Sequence, residues 1–143
     1  THRHELFRSF GFPTIFVRAA SASREDVLDA LAAGRSSMTF APRGPLVDLA
    51  LGDVGLGGEI AARSRVEGRL SVERAHEGDL VKLLDGRGRE RSWISPFEGD
   101  LSLSFDAEPD AVFCRAELWR AAPRGPGRMP FAFSNPVYVR DER

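Results

Sequence analysis

From residue 45 to the C-terminus, apolar side chains recur at every second position in short runs, and glycine or proline interrupts those runs. No other feature constrains the fold as strongly, because a two-residue period puts one set of side chains on each face of a strand and cannot serve a helix. The clearest run is Val112, Cys114, Ala116 and Leu118, alternating with Phe113, Arg115, Glu117 and Trp119. Leu101, Leu103 and Phe105 alternate with Ser102 and Ser104, and Val47, Leu49 and Leu51 with Leu46, Asp48 and Ala50. Further strands are expected over residues 60–66 and 70–73, joined at Gly68, and over 80–85 and 89–93, joined by a Gly86-Arg87-Gly88 turn. Residues 131–133 and 137–139 complete the set, with Asn135-Pro136 as the bend that leads in the last strand. Roughly seven short strands with no helical pattern among them predict a mainly β fold, an antiparallel β-sandwich of immunoglobulin- or fibronectin-like architecture. Cys114 is the only cysteine, so the disulfide of antibody domains is excluded and only the architecture is implied.

The chain before residue 45 has a different pattern. Residues 14–18, β-branched and aromatic after Gly11 and Pro13, predict a strand. A helix follows over residues 24–33. Ser23 is its cap and Asp26 is placed to reach back in a capping-box manner, while Glu25 and Asp26 face the positive helix end and Gly34 stops it. Val27, Leu28 and Leu31 share one narrow apolar face, expected to lie on the strands on either side, because so short a helix is not stable alone. With a strand over 37–41, this makes a βαβ-like unit, an incomplete α/β layer. The expected division is residues 1–41 as the α/β (strand-helix-strand) piece and 42–143 as the sandwich.

Composition narrows the function classes. The chain is 42% hydrophobic and 29% charged with a net charge of -1, which suits a packed domain and gives no basic face for nucleic acid. All cations but Lys82 are arginine, a bias attributed to codon usage rather than to phosphate recognition. One cysteine also excludes a multi-cysteine zinc site, and no window is long and apolar enough for a membrane span.

Several segments carry a resemblance. The stretch Glu25-Asp26-Val27-Leu28-Asp29-Ala30-Leu31, Gly34-Arg35, Gly44-Pro45 and Asp48-Leu49 resembles the end of the catalytic domain in the polymerase and histidinol phosphatase (PHP) superfamily, in its carbaryl-hydrolase-type branch. Thr1-His2 resembles the tail of that family's Ser-Asp-x-His motif. Residues Gly11 to Val17 resemble its Gly-x-Pro-x-x-x-Val strand, and Ser134-Asn135-Pro136-Val137-Tyr138-Val139 its closing Asn-Pro-Ile-Tyr-Val segment. The resemblance implies the C-terminal part of a metal-dependent hydrolase, a phosphoesterase, in which a remnant of the catalytic domain precedes a β-sandwich. It further implies that His2 ligates divalent metal (Mn, Zn or Fe) in the intact protein, where metal-bound water is the nucleophile. The partner would be the upstream catalytic domain of the same protein. This chain, which begins without Met, is expected to be cut from something longer and to be inactive alone. Its exposed strand edges and apolar helix face predict self-association. The competing expectation is a free-standing β-sandwich binding module.

Other candidates are weaker. His2 and His4 form an H-x-H pair that places both rings on one side of an extended segment, as a metal site requires, or are two exposed terminal side chains. His76 beside Glu77 and Asp79 could be an acid/base or metal cluster, but reads better as a solvated turn. Cys114 reads as a core residue. The segment Gly-Asp-Val-Gly-Leu-Gly-Gly at 52–58 lacks the Lys-Ser/Thr ending of a P-loop and reads as an inter-strand turn. Trp93, Trp119 and Tyr138 could form an aromatic platform for sugar or peptide, or could simply pack.

Overall fold

The computed structural model describes residues 13–143, which form eleven strands and one helix. In chain order these are β1 (Thr14–Val17), α1 (Arg24–Ala32), β2 (Ser36–Thr39), β3 (Leu46–Leu51), β4 (Glu59–Ala62), β5 (Val66–Ala75) and β6 (Leu80–Asp85). Then follow β7 (Glu90–Ile94), β8 (Gly99–Ala107), β9 (Phe113–Ala121), β10 (Arg128–Ser134) and β11 (Val137–Asp141). The fold is mainly β and sandwich-like. A three-stranded antiparallel sheet, β3-β5-β8, faces an eight-stranded sheet in which β1-β2-β10-β9 continues across β9 into β6-β7, while β11-β4 joins the start of β9 on the edge it shares with β10. The larger sheet is mixed rather than purely antiparallel, because β11 runs parallel to β4, with Tyr138 opposite Glu59.

Alternation places the core. Val47, Leu49 and Leu51 from β3, Leu70 and Val72 from β5, and Leu101 and Phe105 from β8 meet Val81, Leu83, Cys114, Ala116, Leu118, Ala132, Val137 and Val139 from the larger sheet. Each large aliphatic side chain taken out of water there contributes about 1.5–3 kcal/mol before ordering costs. Two local expectations are corrected. Gly68 is not a turn: it lies inside β5, and the Phe105 ring occupies the space that a side chain would take. Val112 does not join the inward set; it precedes β9 with a left-handed backbone (φ 66°) and is 47% exposed.

The N-terminal segment departs most from expectation. Strand, helix and strand occur in the expected order, but β1 and β2 are antiparallel, so the unit is not a βαβ crossover. Strand β2 also pairs with β10, Met38 lying opposite Phe133, so one sheet runs across the expected division at residue 42. Helix α1 starts as expected, with Ser23 Oγ accepting from Asp26 N at 3.2 Å. The return half of the capping box is made by Ser21 instead: its Oγ accepts from Ser23 N and donates to Asp26. The helix buries Ala30, while Leu28 and Leu31 stay 51% and 41% exposed. Of the apolar face expected to lie on the strands, Val27 is half-buried and the two leucines stay largely exposed.

Candidate functional site

The most built region outside the core is the junction at the C-terminal end of α1. Gly34 takes a left-handed conformation (φ 73°) and stops the helix, with Ala33 N donating to Asp29 O and Gly34 N to Leu31 O. Asn135 holds this turn from 101 positions away, its Nδ2 donating to Gly34 O at 3.1 Å and to Ser36 Oγ at 2.9 Å, while its own N–H reaches Ser36 O. The glycine loop at 52–58 closes the third side. Gly57 N donates to Pro136 O at 2.8 Å, and a Cβ on Gly57 would come within 1.8 Å of Ala33 O, so only glycine fits. Segments that carry the PHP resemblance, Gly34-Arg35 and Asn135-Pro136, thus meet in one place.

Around the junction lie open clefts. One of about 320 Å³ is lined by Arg18, Ala33, Arg35 and residues 55–58. A second of about 350 Å³ continues past Arg18 and Arg35 toward Ser36, Ser37 and Asp48. Arg18 forms an ion pair with Asp48 across the two sheets.

The structure disperses the other candidates. His2 and His4 lie outside the described residues. The His76 turn is not simply solvated: the imidazole is exposed, but Asp79 is 1% exposed and receives two bonds from Arg120, Nε to Oδ1 at 2.9 Å and Nη2 to Oδ2 at 2.8 Å. Asp79 also accepts from His76 N at 2.7 Å, and Arg120 lies 4.6 Å from the Phe131 ring centroid. Asp79 thus ties the turn after β5 to β9 through charge-assisted bonds. Sequence patterning missed it because Arg120 is 41 positions away and only the sheet brings the two together. Cys114 is 2% exposed and burial pushes its thiol up to about 11, so it is no nucleophile at neutral pH. The glycine loop leads into β4, not a helix, as expected for an inter-strand turn.

The three aromatic residues do not form one platform. Trp93, opposite Val81, packs against the core, whereas Trp119, opposite Leu80, has Lys82 at 5.0 Å over its ring and donates Nε1–H to Glu117. Tyr138 is 44% exposed on β11. Among the described residues no group of three or more His, Cys, Asp or Glu is placed to hold a metal ion. No helix among them is long and apolar enough to cross a membrane.

No protein-family model matches the chain, and no curated protein matches it. The crystal structure of the C-terminal domain of wzt is similar with a TM-score of 0.40 at 6% identity, over 96% of this chain and 86% of that one. A likeness this slight carries no argument about function.

Proposed function

We propose that this chain is the C-terminal part of a PHP-like metal-dependent hydrolase, a phosphoesterase, with the sandwich as its accessory domain. One observation carries the reading: two of the sequence segments that resemble the family, 101 residues apart, are joined side chain to main chain at Asn135 and Gly34. The exposed leucines support it too. Leu28 and Leu31 form an apolar face on a nine-residue helix, and in the proposed protein the catalytic body upstream covers that face.

The described residues do not by themselves fit a metal cluster, so no catalytic step is assigned to them. His2, outside the described residues, would be this chain's contribution to metal binding. The decisive experiment expresses the reading frame with its upstream sequence and compares it with this chain for metal content and for hydrolysis of a chromogenic phosphate ester. Metal-dependent turnover by the longer protein, reduced about tenfold or more by His2→Ala, supports the hydrolase. Absence of upstream His and Asp motifs, or a longer protein with neither metal nor turnover, leaves a β-sandwich binding module.

A further inference from the structure

We propose that the groove at Arg18 and Arg35 binds a tetrahedral oxyanion, as free phosphate or as the phosphoryl group of a small phosphate ester. The two arginines extend the β1–β2 ladder one step beyond the pair Val17 and Ser36, with Arg18 N donating to Arg35 O at 2.8 Å. Like charges directly opposite on neighbouring strands destabilise a sheet. Strand alternation puts them on the face of Phe16 and Ser37, toward the three-stranded sheet, and Arg18 meets Asp48 of β3 there. Two guanidiniums against one carboxylate leave one positive charge, and among the described residues Arg35 has no acidic partner.

The space beside the pair matches that charge. Both lobes of the groove, about 320 and 350 Å³, are lined by Arg18, Arg35 and Leu56, so the arginines stand at its waist. Gly55 is the informative neighbour. Its φ is not positive, and a Cβ there would meet nothing nearer than Arg18 Nη1 at 4.0 Å. Neither backbone conformation nor packing requires glycine at 55, yet its bareness keeps open the volume next to a guanidinium. Two planar guanidinium forks can bridge the oxygens of one phosphoryl group, which a single point charge cannot do.

Arg18 and Arg35 alone carry this anion site; the upstream hydrolase is not needed for it, and the test uses this chain. Inorganic phosphate and phenyl phosphate are titrated calorimetrically at constant ionic strength against chloride, alongside thermal unfolding. Saturable binding is expected, at least about tenfold weaker in Arg35→Ala and in Gly55→Val. Without phosphate, Arg35→Ala should unfold no earlier than the parent, since a like-charge pair has been removed. Tighter binding of phenyl phosphate would identify an ester as the occupant, and equal or tighter binding of phosphate the free ion. Heat that does not exceed the chloride control, or binding unchanged by both substitutions, would overturn the site.

Discussion

The β3-β5-β8 sheet and the β1-α1-β2 segment are held in opposite ways. In the first, Val47, Leu49, Leu70, Val72 and Phe105 are all at most 4% exposed, and long ladders pair β5 to neighbours on both sides. In the second, α1 buries only Ala30, β1 has one partner strand among the described residues, and Ile15, Leu28 and Leu31 remain more than two-fifths exposed. Burial holds the first region. The second has little apolar burial and is held by the β1–β2 and β2–β10 ladders and by specific bonds at Asn135, Gly57 and Arg18. A strand with strong two-residue alternation therefore secures itself, whereas a short helix depends on whatever is placed against it.

The largest effect is expected beside this contrast, at the buried ion pair that ties the turn after β5 to β9. Arg120→Met leaves the Asp79 carboxylate buried without its partner and should cost about 3–5 kcal/mol in chemical denaturation. Leu70→Ala, which opens a cavity at a position 0% exposed, should cost about 2–5 kcal/mol by the same measurement. If Leu70→Ala cost under about 1 kcal/mol, burial would not be what distinguishes that sheet.

Hydrogen exchange sharpens the comparison without a mutation. Amides of α1 should exchange through local opening, orders of magnitude faster than those of β5, which open only with the whole domain. Equal protection would mean that the junction at Asn135 couples helix and core into one unit. The paired change Leu28→Glu and Leu31→Glu should alter stability by less than about 0.5 kcal/mol yet shift sedimentation toward the monomer. A parent chain already monomeric at high concentration would remove the case for a self-associating face.

The smallest effect concerns acid. Arg143, bonded to Asp141, holds that carboxyl down to about 2, and Arg89 holds Asp110 below its usual value. A depressed carboxyl adds stability above its unfolded value, near pH 4, and loses it as the pH falls toward 2. Both groups lie at the surface, so Asp141→Asn should flatten the acid limb of the stability curve only slightly.

The strands after residue 45 could be found from alternation alone because in/out sorting is local: each neighbour pair along the chain records it. Gly68 shows where that fails. A glycine marks a turn or a close approach equally well, and only the Phe105 ring on β8 decides between them. The helix had readable ends, at Ser23 and Gly34, because caps are made by nearby residues, although Ser21 took the role expected of Asp26. Which helix face is buried could not be read, since Leu28 and Leu31 look the same whether a sheet or another body covers them. The candidate junction was half visible. Gly34-Arg35 and Asn135-Pro136 stood out as segments, but nothing in the chain announced that Asn135 Nδ2 would reach Gly34 O.

By itself, then, the sequence determined the mainly β character after residue 45, the ends of α1 and the burial of Cys114, all consequences of period and short-range bonding. Tertiary structure alone decided that β2 joins β10, that Asp79 is buried against Arg120, and that Arg18 and Arg35 lie side by side along one groove. Those pairings span 17 to more than 90 residues, and strand order, not local propensity, selects among the many partners such distances allow.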